Sequence, residues 1–101
     1  MISQAQHDLL RAKYSPDGSP LRRQQERMLE ILCEIDRICK KHGIRYWLSS
    51  GTLIGAVRHG GFIPWDDDLD IEMMREDYDR LMDVLPGELP STMALQTHET
   101  D

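Results

Sequence analysis

The sequence predicts an α/β domain with a small mixed sheet flanked by helices. Three observations lead there. A long amphipathic run from Leu21 to Lys41 is closed by a glycine. A short alternating segment, Ile44 to Leu48, follows it directly. An acid–apolar alternation at 68–73 then precedes a second helical run. Helical and extended periods alternating along a chain of 101 residues are the mark of one α/β unit.

Taken in order, residues 1–13 form a short helix. The cluster Ser15-Pro16-Asp17-Gly18-Ser19-Pro20 breaks it, because each residue type there favours a turn. Residues 1–20 thus read as an N-terminal segment and linker, and 21–101 as the domain. In the helix from Leu21 to Lys41, Leu21, Met28, Leu32, Ile35 and Cys39 form one apolar stripe, widened by Ile31 and Ile38. Lys40, Lys41 and His42 place cations in its last turn, and Gly43 ends it. Ile44 to Leu48 reads as a strand, Thr52 to Arg58 as a two-turn helix, and Phe62 to Trp65 as a loop in which Pro64 keeps Ile63 extended. Phe62 and Trp65 are expected to pack under that loop, and His59 is expected to be a plain loop residue. Asp67 to Met73 reads as a second strand. Arg75 to Leu85 reads as a helix stopped by Pro86-Gly87, and Met93 to Thr97 as a third strand.

Composition narrows the function classes. Eighteen acids against twelve Lys and Arg give a formal net charge of −6, which argues against non-specific nucleic-acid binding. No apolar run reaches the roughly 20 residues of a membrane span, and the N-terminus lacks a signal-peptide core, so a cytoplasmic protein is expected. Cys33 and Cys39 would lie roughly 9 Å apart along one helix, too far for a disulfide within it. Two free thiols are expected.

Two segments carry chemistry. At Ser50-Gly51-Thr52 a strand passes into a helix, whose unpaired N–H groups and dipole favour an anion. Gly51 admits a phosphate close to the backbone, and Ser50 or Thr52 offers a hydroxyl. An ordinary N-cap at Ser50 or Thr52 is the competing reading. Asp66-Asp67-Asp68-Leu69-Asp70, with Glu72, supplies five of the eighteen acids. Side chains two apart share a face of an extended chain, so Asp68 and Asp70 project together while Leu69, Ile71 and Met73 turn to the core. Two carboxylates on one face suit Mg²⁺, or Mn²⁺, and Asp66 and Asp67, on the loop leading in, could supply a further ligand (Asp66 above all) or orient a metal-bound water. The competing reading is a solvated acidic loop. Arg58 suits either a phosphate contact or the cation of a helix C-terminus. The acids do not follow EF-hand spacing.

Gly51-Thr52, then a loop, then Asp68-Leu69-Asp70-Ile71 resembles the hallmark of nucleotidyltransferases with a polymerase-β-like fold. The longer block LSSGTLIGAVRHGGFIPWDDDLDI, with the helix and strand before it, closely resembles the LicD family of phosphocholine transferases and fukutin-related proteins. The resemblance covers about residues 21–85. It implies metal-dependent transfer of a phosphate-linked group to a cell-surface glycan, phosphocholine from CDP-choline above all. By position, Asp68 and Asp70 would be the catalytic, metal-binding pair, and Gly51 and Thr52 would hold donor phosphates. Superfamily enzymes use a third carboxylate from a later strand, expected downstream of this chain, with Glu99 or Asp101 as the substitutes within it. A non-catalytic fragment that binds nucleotide or metal, or joins a partner chain, is the alternative the resemblance leaves.

Overall fold

The computed structural model describes residues 2–97. Glu99 and Asp101, the two substitute carboxylates, lie outside the described residues. Six elements follow in order: α1 (Gln4–Tyr14), α2 (Pro20–His42), β1 (Trp47–Leu48), α3 (Ser50–Arg58), β2 (Ile71–Glu72) and α4 (Arg75–Glu88). The chain divides into two units. One comprises Met1–Glu30 and Trp47–Glu72, the other Ile31–Tyr46 and Met73–Asp101.

The first unit holds both strands and the chemistry-bearing segments. α1 opens with a reciprocal cap: the Ser3 hydroxyl accepts from the Gln6 N–H, and the Gln6 side chain accepts from the Ser3 N–H. The break after α1 is shorter than the predicted linker, because Ser19 already caps α2. Its hydroxyl accepts from the Arg22 N–H at 3.2 Å, and Pro20 takes the first helical position, where a missing N–H costs nothing. β1 and β2 pair antiparallel, Trp47 opposite Glu72 and Leu48 opposite Ile71. Both strands are shorter than the sequence predicts. For β2 the reason is visible: the carbonyls of Asp66 and Asp67 bond to side chains of α2, not to a neighbouring strand. The predicted alternation survives this. Leu69, Ile71 and Met73 are half-buried, while Asp68, Asp70 and Glu72 are exposed.

The second unit packs the end of α2 against α4. Ile38, Cys39, Ile44, Leu81 and Leu85 form its buried cluster. The N–H of Ile44 returns to the Cys39 carbonyl at 2.8 Å, and Gly43 takes a φ of +67°, closing α2 as predicted. α4 runs one turn beyond its expected stop, through Pro86 and Gly87 to Glu88. Proline's fixed φ is helical, so Pro86 forfeits one hydrogen bond. Glu88 is meanwhile held by Lys41 at 2.8 Å and by Arg37 at 3.6 Å, and Leu89 packs on the cluster. Tertiary anchoring outweighs the local stop signal. The third strand predicted at Met93 to Thr97 does not form: the described residues there make no ladder, and Leu95 packs against the cluster instead. Cys33 is exposed and Cys39 buried, both free. Burial, then the nearby Asp36 and Asp77, pushes the Cys39 thiol up.

Candidate functional site

The start of α3 departs from an ordinary cap. Its N-cap is Ser49, which makes no side-chain capping bond, so neither Ser50 nor Thr52 caps the helix as the simpler reading expected. Ser50 sits at φ +53°, a left-handed conformation that L residues adopt at a cost of about 1 kcal/mol or more. The first N–H groups of α3 are thus left without a side-chain cap, at the positive end of the helix.

Thr52 is buried and uses its hydroxyl oxygen to accept the Asp70 N–H at 2.8 Å. The Ser49 N–H donates to the Asp70 carbonyl at 3.1 Å. Together these two bonds tie the bend to the acidic segment. Gly51 closes the approach from the other side. A Cβ built on it would lie 2.8 Å from Asp66 Oδ2 and 3.8 Å from Ile63 Cδ1. The absent side chain therefore admits an aspartate to the helix start. Gly55, one turn on, faces backbone. A Cβ there would meet the Gly61 carbonyl oxygen and stand 2.9 Å from the Ile63 nitrogen.

The acidic segment gathers Asp66, Asp67 and Asp68. One carboxylate oxygen from each lies within 4.8 Å of the others. Burial, then the Asp68 and Asp67 carboxylates, pushes the Asp66 carboxyl up. Desolvation disfavours the charged form first, and the two neighbouring carboxylates add like charge. Asp70 is exposed and is not part of this group of three; the bonds it makes to the bend run through its backbone. Arg58 is exposed in the last turn of α3, about 12 Å along the axis from Ser50 at the usual rise per residue. The structure thus brings Ser50, Gly51, Thr52, Asp66, Asp68 and the backbone of Asp70 together and leaves Arg58 at the other end of the helix.

Three features escaped the sequence reading. Gln25 is fully buried, and its Nε2 donates to the Asp66 carbonyl at 2.9 Å, with the Ile63 and Pro64 carbonyls at 3.4 Å each. Gln24 donates to the Asp67 carbonyl at 2.9 Å. Nothing local marked them, because the first turns of α2, Pro20-Leu21-Arg22-Arg23-Gln24-Gln25-Glu26-Arg27, are polar almost throughout. His59, expected to be a plain loop residue, caps the end of α3 and places its Nδ1 3.0 Å from Nδ1 of His7 on α1. Trp65 does not pack beneath the loop. The Asp66 N–H bonds to the Ile63 carbonyl at 2.9 Å in a tight turn, and Ile63 and Pro64 take the buried positions. Trp65 stays 49% exposed, edge-on to Tyr14 at 5.4 Å and to His59 at 6.3 Å.

No described helix is long and apolar enough to cross a membrane. Residues 43–98 match the family described as LicD/FKTN/FKRP, nucleotidyltransferase domain. The chain is 47% identical over 79 residues to the lipopolysaccharide cholinephosphotransferase LicD of Haemophilus influenzae, covering 78% of this chain and 30% of that protein. It is 57% identical over 35 residues to human ribitol 5-phosphate transferase FKRP, covering 35% of this chain and 7% of that protein. Mouse ribitol-5-phosphate transferase FKTN is 37% identical over 54 residues, covering 54% of this chain and 12% of that protein. The chain spans less than a third of the length of these relatives. No solved structure matches it. With the family match covering more than half of its residues, on the segment that carries the bend and the aspartates, the chain belongs to the LicD/FKTN/FKRP nucleotidyltransferase domain family.

Proposed function

We propose that this chain carries the donor-binding part of a nucleotidyltransferase-like active site. The reaction is transfer of a phosphate-linked group from a nucleotide-activated donor to a cell-surface glycan. The relatives named for cholinephosphate and ribitol 5-phosphate transfer support that class, and the bacterial relative's name favours phosphocholine, for which CDP-choline is the donor we propose. The observation that carries the reading is the closure of the acidic segment on the helix start, through Thr52 to Asp70 and Gly51 to Asp66.

The donor set suits a hard divalent cation. Three carboxylate oxygens lie within 4.8 Å, and burial, then the neighbouring Asp68 and Asp67 carboxylates, pushes the Asp66 carboxyl up. Asp68 and Asp66 are assigned to hold Mg²⁺ or Mn²⁺, with Asp70 as the second member of the catalytic pair from the exposed side of the same segment. When bound, such an ion would offset charge on the donor phosphates and on the departing nucleotide. The chain's own residues do the rest. The uncapped N–H groups at Ser50, Gly51 and Thr52 grip the diphosphate. Thr52 fixes the acidic backbone relative to that grip, so that little reorganisation is needed as charge shifts. Arg58, at the far end of α3, is given no part in gripping the diphosphate; its cation faces the negative end of the helix dipole. An acceptor hydroxyl attacks phosphorus in line with the leaving nucleotide.

Calorimetry with CDP-choline, with and without Mg²⁺, beside a turnover assay tests this. Mg²⁺-dependent binding, with turnover abolished in Asp68→Ala, is the expected result. Binding without turnover would leave the chain as a donor-binding segment and remove the catalytic part of the proposal. Absence of binding in either condition removes the whole reading.

A further inference from the structure

We propose that Gln25, assisted by Gln24, is a positioning residue for the carboxylate group. This inference rests on the acidic segment being a cation site. Asp66, Asp67 and Asp68 are consecutive anions, and an unconstrained loop would splay them apart. No carbonyl of the ladder holds them, because β2 begins only at Ile71. The backbone is held from α2 instead. Gln25 is fully buried, a costly place for an amide unless its hydrogens are used. Its Nε2 faces the carbonyls of Ile63, Pro64 and Asp66, the two ends and the middle of the turn that delivers the first aspartate. Its Oε1 accepts from Arg22 Nη1 at 3.2 Å, which fixes which end of the amide faces the turn. Gln24 takes the next carbonyl, that of Asp67, at 2.9 Å. Two adjacent helix residues thus hold the peptide carbonyls of two adjacent aspartates. The helix supplies the rigidity that the acidic loop lacks.

A residue that only stabilises the fold would shift unfolding equally with and without metal. A residue that gathers the ligands changes the metal affinity itself, as outer-shell partners of metal ligands do by tenfold or more. The test is Mn²⁺ binding, read from the electron paramagnetic resonance of free Mn²⁺, together with thermal unfolding at zero and saturating Mn²⁺. The variants are Gln25→Met, which keeps the reach and loses the N–H groups, and Gln24→Leu on the exposed side. The expected result is Mn²⁺ affinity about tenfold weaker in Gln25→Met, with a smaller loss in Gln24→Leu and a correspondingly smaller metal-induced rise in Tm. Unchanged affinity with lowered Tm overturns the inference while leaving the cation site intact. If Gln25→Met does not fold, Gln24→Leu decides alone, and wild-type affinity there overturns the inference. Wild-type protein that binds no Mn²⁺ removes the cation site and the inference with it.

Discussion

At the scale of single residues, Thr52 and Gly51 divide one task. Thr52 is buried with its oxygen committed to the Asp70 N–H, so its contribution to stability is separable from any contact with a donor. Thr52→Val keeps the shape and removes the acceptor. The expected loss is about 1 kcal/mol in urea unfolding, with Thr52→Ser close to wild type. Equal stability of the valine variant would show that the hydroxyl does not hold the acidic segment. Gly51 behaves differently. The atom that a new Cβ would meet is the end of a flexible aspartate side chain, which can swing away. Gly51→Ala is therefore expected to unfold near the wild-type midpoint yet bind Mn²⁺ more weakly, because Asp66 is displaced from the group. A large stability loss without a change in metal binding would contradict that division. The pattern Gly-Thr was legible in the sequence as a place for phosphate. That its two residues also dock the aspartates was not, since nothing local says which distant backbone a hydroxyl will meet.

At the scale of elements, α3 shows the same contrast one turn later. Gly55 faces the backbone of Gly61, Phe62 and Ile63, which cannot move without shifting the loop that leads to Asp66. Gly55→Ala should destabilise by about 2–3 kcal/mol in chemical unfolding, well beyond Gly51→Ala, because overpacking against backbone has no cheap relief. A variant as stable as wild type would mean that α3 is not seated on this loop. Helices were legible wherever an apolar stripe ended in a clear signal, as at Lys40-Lys41-His42-Gly43. The end of α4 was misjudged because Pro86-Gly87 is a local signal, and Glu88 answers to cations 47 and 51 residues away in sequence. The strands were over-extended for a related reason. Alternation at 67–73 correctly assigned the exposed acids and the half-buried apolar residues, but a ladder needs partner backbone. Gln24 had already taken the Asp67 carbonyl, and the Thr52 hydroxyl the Asp70 N–H.

At the scale of the whole molecule, the two units should answer acid in different windows. In the first unit, burial holds the His59 ring below its ordinary 6.5, with His7 and Arg58 adding like charge. The unfolded chain therefore takes up this proton before the folded one. The stability that neutral His59 contributes is complete above 6.5 and is lost as pH falls through the depressed value. The Nδ1 contact with His7 needs one ring nitrogen to accept, so a second proton converts a bond into repulsion. In the second unit, the hydrogen bond from Lys40, then that from Tyr46, holds Asp36 below 3.8. The bond from Lys41, with His42 behind it, holds Glu88 below 4.5. Their contribution is intact above the ordinary carboxylate values and falls away only below them. On the alkaline side, burial and then the Asp36 hydrogen bond push Tyr46 up to about 12, so that its share persists below 10 and is lost between there and 12. Acidification from neutrality should thus loosen α1 first. Trp65 reports it, since its ring lies against both Tyr14 and His59. In a Trp47→Phe background, Trp65 fluorescence should change in a step below 6.5, while the secondary structure of the second unit holds until pH falls under about 4. His59→Gln should erase the upper step and leave the lower one. A single transition carrying both signals, or an upper step that survives His59→Gln, would show that the histidine pair does not hold α1.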